Sequence, residues 1–111
     1  MDFEALAARK SALGTTSIIV VDDSAGIVKV ANRLMRFYQN ESCGKCTPCR
    51  EGNRRMVQVL ARIEAGGGAF GDLELIEQVC ENMASTAFCA LAVGAAPPVL
   101  SAVQERIRSV Y

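Results

Sequence analysis

The chain has no histidine, no tryptophan and no net charge. Without imidazole, a metal site has to be built from other donors, which removes the mixed cysteine–histidine sets of many zinc proteins. Lys plus Arg equals Asp plus Glu, 12 against 12, and no basic block stands out, so nothing marks a nucleic-acid footprint. The apolar runs fall far short of the roughly 20 residues that span a bilayer, so no direct membrane insertion is expected. The start, Met1-Asp2-Phe3-Glu4-Ala5, is acidic and lacks the basic opening of a secretion signal. Aromatics are scarce, with four phenylalanines and two tyrosines in 111 residues. Aliphatic side chains must therefore fill the core of what is one small domain by length.

What the chain does have is cysteine, five in all. An odd, clustered set makes a poor disulfide framework and an ordinary metal or redox pattern for a cytosolic protein. A cytoplasmic location follows as an expectation, free or on the cytoplasmic side of a membrane complex. Cys43, Cys46 and Cys49 stand at three-residue steps, and Cys89 follows after 39 intervening residues. Thiolates at that spacing can face three corners of one cluster, and a distant cysteine can close the fourth. Four thiolates and no histidine point to an iron–sulfur cube or a structural zinc. The triple spacing is that of ferredoxins, whereas structural zinc more often uses two separated pairs, so the cube is the favoured reading. Two alternatives stay open: a zinc-stabilised structural or interaction module, and a dithiol redox protein working through Cys46 and Cys49. The second has no need of a third thiol. Cys80 follows Val79 on an apolar stripe and reads as a small core hydrophobe.

The composition favours helix over sheet. Residues 3–11 read as a short helix that stops at Leu13-Gly14. Residues 17–21, Ser-Ile-Ile-Val-Val, read as one buried strand. A lone strand leaves its backbone groups unpaired, so it calls for partners from something larger. From Ser24, a candidate N-cap, a helix should carry Ile27, Val30, Ala31, Leu34, Phe37 and Tyr38 on one stripe. Thr47 as N-cap and Pro48 as first helical residue should open the next helix, with Met56, Val59, Leu60 and Ile63 inward and a flexible link at Gly66–Gly68. A third starts near Asp72 with Leu73, Ile76, Val79, Cys80 and Met83. Residues 85–96 read as a loop around Cys89, and Pro97-Pro98 as the opening of a last helix with Leu100, Val103, Ile107 and Val110. The expected fold is all-α, a four-helix bundle over residues 24–111 behind an N-terminal flank of residues 1–23. In an up-down bundle the starts of the second and fourth helices share an end, so both cysteine segments meet there.

Around the triple, backbone N–H groups beyond Thr47 and the Arg50 guanidinium are placed to donate to sulfur. Lys45, at the loop tip, reads as exposed. Gly44 and Gly52 permit close backbone approach, and Gly52 weakens a helix where it stands, which favours a packing reason.

The stretch Glu41-Ser-Cys-Gly-Lys-Cys-Thr-Pro-Cys-Arg-Glu-Gly52 resembles the cluster motif of the NADH- and flavin-binding subunit of respiratory complex I. NAD-reducing hydrogenases, NAD-dependent formate dehydrogenases and electron-bifurcating enzymes are related to it. Residues 12–22 resemble the stretch leaving that subunit's ubiquitin-like domain, residues 86–91 its fourth-ligand segment, and residues 98–101 the helix beyond. The resemblance implies a C-terminal helical bundle with one 4Fe–4S cluster on Cys43, Cys46, Cys49 and Cys89. It implies a relay of single electrons from reduced flavin to the next iron–sulfur centre in a partner subunit. The implied partners are a flavin- and NADH-binding portion or subunit and other iron–sulfur subunits. No phosphate-cradling glycine loop precedes a helix here. FMN and NADH are therefore expected to bind upstream or on a partner, and the chain is expected not to be catalytic alone. An excised domain, a truncated chain and a separately encoded module all fit that expectation.

Overall fold

A computed structural model describes residues 2–9, 11–14 and 16–107; the expected inward position of Val110 lies outside them. Among the described residues there are helices and no strand. They are α1 (Phe3–Ala8), α2 (Ile27–Glu41), α3 (Thr47–Glu64), α4 (Asp72–Thr86) and α5 (Ala90–Ala102), which runs on into a π-helical turn, Val103–Ile107. α2 packs on α3 and α5, and α4 on α3 and α5, so α2 to α5 form the expected bundle. α1 is capped by Asp2, whose carboxylate accepts from Ala5 N at 2.6 Å, and it buries none of its residues.

The core is built from thioethers and aliphatics. Met35, Met56, Leu60, Ile76 and Met83 are among the largest fully buried side chains, with Val59, Val99 and Cys80 beside them. All four phenylalanines are exposed. The stripes expected on α3 and α4 face inward: Met56, Val59, Leu60 and Ile63 on the former, Ile76, Cys80 and Met83 on the latter. On α2, Ala31 of the expected stripe is buried and Ile27 and Tyr38 pack against the core, but Asn32 and Met35 are buried as well and Phe37 is exposed, so the inward face is only partly the expected one. Asn32 Nδ2 donates to Glu64 Oε2 at 2.8 Å, while its Oδ1 is buried with no partner among the described residues.

Several boundaries differ from expectation for identifiable reasons. Ser24 is not the cap of α2; its N–H donates to Asp22 Oδ1 at 2.9 Å in a turn, and Gly26 precedes the helix instead. Residues 17–22 form no strand: Ile18, Ile19 and Val20 are 70%, 75% and 89% exposed. No ladder partner is present among the described residues, and a single strand cannot satisfy its own backbone. The helix expected to open at Pro97 begins seven residues earlier, directly after Cys89, and carries Pro97 and Pro98 in its interior. Each proline costs the helix a bond. The inward row of Ala92, Ala95, Ala96 and Val99 offsets this by letting α5 sit closely on its neighbours. Gly66 and Gly67 are not merely a flexible link. Gly66, at φ +83°, and Gly67 return their N–H groups to Ile63 O and Arg62 O at 3.0 and 2.9 Å, closing α3 in a Schellman motif.

Beyond that cap, Asp72 ties α3 to α4. Its Oδ2 accepts from Arg62 Nε at 3.2 Å and from Ala69 N at 2.8 Å. Arg62 beside it, with that backbone N–H, holds the carboxyl below its ordinary pKa.

Candidate metal centre

The cysteine triple follows α2 and runs into the start of α3. Cys46 is the N-cap of α3 and Cys89 the N-cap of α5. Thr47 is therefore the first helical residue rather than the cap, and Pro48 the second. The extended backbone at a cap turns the chain from loop to helix at each of these two cysteines. Cys43, Cys46, Cys49 and Cys89 all line one cleft of about 120 Å³, with Ser42 and Leu91 in its wall. Cys80 is elsewhere, fully buried, with its thiol 3.9 Å from both Met56 Sδ and Ala96 O. Burial pushes that thiol up to about 12, so it is an inert hydrophobe at neutral pH.

The four thiols are unequally embedded. Cys49 is buried, Cys46 half-buried, and Cys43 and Cys89 are exposed. The backbone N–H of Phe88 is the largest influence on Cys46, lowering its pKa from the ordinary thiol range; the amide of Cys49 and the charge of Arg50 act in the same direction. A donor next to Cys89 in the chain thus reaches the thiol of Cys46. Among the described residues no three Cys, Asp or Glu side chains converge tightly enough to hold a single metal ion. The four residues lining one cleft all offer sulfur and none offers nitrogen, a donor set that suits an iron–sulfur group.

Arg50 does not reach a sulfur directly. Its Nη1 donates to Gly44 O at 2.6 Å, its Nη2 to Thr47 Oγ1 at 3.4 Å and its Nε to Glu51 Oε1 at 3.3 Å. It fastens the loop between Cys43 and Cys46 to α3. Lys45 is exposed, as its place at the loop tip predicts. Gly52 has the expected packing reason, since a Cβ there would lie 2.5 Å from Met83 Cγ and Sδ.

Sequence reasoning missed two residues. Asn53, fully buried, donates from Nδ2 to Cys49 O at 2.9 Å and to Cys49 Sγ at 3.3 Å. Ser42 Oγ lies 3.3 Å from Cys49 Sγ. A polar residue one helical turn beyond a candidate ligand, on the buried side, was the available signal for Asn53.

A family profile described as the NADH-ubiquinone oxidoreductase-F iron-sulfur binding region matches residues 29–107. An NADH-quinone oxidoreductase subunit of Rhizobium meliloti is 50% identical over 104 residues, 94% of this chain and 25% of that protein. An NADH-quinone oxidoreductase subunit of Streptomyces coelicolor is 42% identical, covering 94% of this chain and 23% of the relative. The mitochondrial NADH-ubiquinone oxidoreductase 51 kDa subunit of Neurospora crassa is 39% identical over 99 residues, 89% of this chain and 20% of that protein. The chain thus spans about a quarter or less of these relatives.

Proposed function

From the premise that this chain belongs to the NADH-ubiquinone oxidoreductase-F iron–sulfur binding region family, we propose that Cys43, Cys46, Cys49 and Cys89 hold its 4Fe–4S cluster. The observation that carries the assignment is the meeting of four thiols from two distant segments at one cleft, while the fifth is buried in the core. The cluster, when bound, supplies a one-electron store. The protein's own residues do the rest. Cys46 and Cys89 cap α3 and α5, Arg50 fastens the intervening loop, and the Phe88 amide favours the thiolate that ligation requires.

The role that fits is a relay module in an NADH-linked oxidoreductase. It takes single electrons from a reduced flavin on an NADH- and FMN-binding portion or subunit and passes them to an iron–sulfur centre of another subunit. The names of the relatives support the complex, and the partners are part of the proposal. No described helix is long and apolar enough to cross a membrane. A peripheral position on the cytoplasmic side completes the reading. Residues 1–23 are read as the end of an adjoining ubiquitin-like domain and residues 24–111 as the helical iron–sulfur domain. The uncovered side chains of Ile18, Ile19 and Val20 support that division.

The test is iron, acid-labile sulfide and zinc content on anaerobically purified protein, with EPR after dithionite, for the unaltered chain, Cys89→Ser and Cys80→Ser. About four irons and four sulfides are expected in the unaltered chain and in Cys80→Ser, and a lost or degraded cluster in Cys89→Ser. About one zinc per chain with no EPR signal after reconstitution would replace the relay with a structural metal module.

A further inference from the structure

Cys49 differs from the other three thiols in its surroundings. It is the buried one, and two side chains address its sulfur: Asn53 Nδ2 and Ser42 Oγ, each at 3.3 Å. The orientation of the Asn53 amide follows from its partners. Cys49 O lies 2.9 Å from one end of the amide and, as a carbonyl, can only accept, so that end is the NH₂. Its two protons then divide between the carbonyl and the sulfur of the same residue. The other end, Oδ1, is buried and has no partner among the described residues. Leaving a buried acceptor unpaired is costly, and a leucine at this position would avoid it. Asn32 Oδ1 is likewise buried and unpaired; what sets Asn53 apart is its N–H aimed at the Cys49 sulfur, a donor that an apolar side chain could not supply.

We propose that Asn53 is a positioning residue that raises the reduction potential of the cluster through an N–H···S hydrogen bond to Cys49. This rests on the four-thiolate reading above. Reduction adds one electron, and part of the added negative charge resides on the cysteine sulfurs. An N–H dipole aimed at one of them from a water-excluded position stabilises the more negative state. Asn53 stands four residues after Cys49 on α3, on the same face one turn along, so the helix fixes its reach. Ser42 adds a second donor. Its Oγ already lies 3.3 Å from Gly44 N and accepts from that N–H, which leaves the hydroxyl proton free for a sulfur that, once ligated, can only accept.

The test is an anaerobic dithionite redox titration, followed by EPR, of the full 111-residue chain loaded with its cluster, unaltered and as Asn53→Leu and Asn53→Ala. Removing the donor should make reduction roughly tenfold less favourable, a shift of about 59 mV to more negative potential for one electron. The hyperfine coupling of an exchangeable proton, read as the difference between H₂O and D₂O, should weaken in parallel. Iron and sulfide content should match the unaltered chain. Loaded variants with unchanged potential and unchanged proton coupling would overturn the assignment of Asn53 and leave the relay reading intact. Failure of both variants to hold a cluster that the unaltered chain holds would overturn it too, making Asn53 a residue of assembly. Absence of a cluster in the unaltered chain would instead remove the four-thiolate reading itself.

Discussion

Gly52 lies three residues beyond Cys49 on the face of α3 that meets α4. A Cβ added there would stand 2.5 Å from Met83 Cγ and Sδ and 3.6 Å from Cε. Met83 is fully buried, so its side chain cannot swing into solvent to make room, and the overlap includes Cγ near the backbone. Gly52→Ala gains about 1 kcal/mol of helix propensity. Overpacking opposes it by about 1–3 kcal/mol, so the balance is a net loss of up to about 2 kcal/mol. In a Met83→Ala background the obstructing atoms are gone. That background is itself about 2–5 kcal/mol less stable because of the cavity. There Gly52→Ala should stabilise by about 1 kcal/mol, the propensity gain alone. The signature is a change of sign between the two backgrounds. Urea unfolding of the four chains in one fixed metal state, compared as a double-mutant cycle, reads it directly. Stabilisation by Gly52→Ala in both backgrounds would refute the reasoning, because it would mean that Met83 gives way without cost.

The raised pKa of Cys80 predicts an alkaline limb of stability. The thiol ionises near 9 when unfolded and is pushed up to about 12 when buried, so its contribution is complete below pH 9 and is lost as pH rises from there towards 12. The slope should be about 1.4 kcal/mol per pH unit, and Cys80→Ala should flatten it in urea midpoints taken from pH 8 to about pH 11. At the acid end, Asp72 has a lowered pKa, chiefly through Arg62. Its contribution is present above the ordinary carboxylate value of 3.8 and is lost as pH falls through the lower folded value. Asp72→Asn should cost about 1 kcal/mol at neutral pH, since the partner arginine is exposed and screened, and should weaken the acid dependence of the thermal midpoint.

Much of the architecture was legible because apolar spacing reports which face of a helix is buried. The inward rows of α3 and α4 follow directly from Met56, Val59, Leu60, Ile63, Ile76, Cys80 and Met83. The site was legible for a different reason. Thiol spacing is a chemical constraint that survives uncertainty about helix boundaries, and the four cysteines line one cleft even though α5 starts far earlier than expected. That error came from weighing proline as a local signal. Pro97 and Pro98 are poor interior residues by propensity, and tertiary packing through the alanine row overrides them. The misplacing of Phe37 on the inward face of α2 arose in a similar way: it counts as strongly apolar in a pattern, yet the core there is filled by Met35. Asn53 was missed because a polar residue in a helix reads as solvated, although its place on the row of Cys49, Met56 and Leu60 put it on the buried side.

The unequal embedding of the four thiols gives the proposed ligand set an internal order. Cys49 belongs to the rigid part, carried on α3 with Asn53 and backed by the core. Cys46 bridges, because it caps α3 and is addressed by the Phe88 amide from the segment that carries Cys89. Cys43 and Cys89 stand at the open side. A cluster bound there would join the α2–α3 loop to the α4–α5 junction. Chain connectivity leaves these two free to separate, whereas Arg62 and Asp72 fasten α3 to α4 at the far end of α3. The fold thus secures one end of the bundle with an ion pair and a Schellman cap. At the other end Arg50 and the Phe88 amide already join the cysteine segments, and on the proposed ligand set cluster loading would add to them, coupling loading to the order of the helix ends that present the thiols.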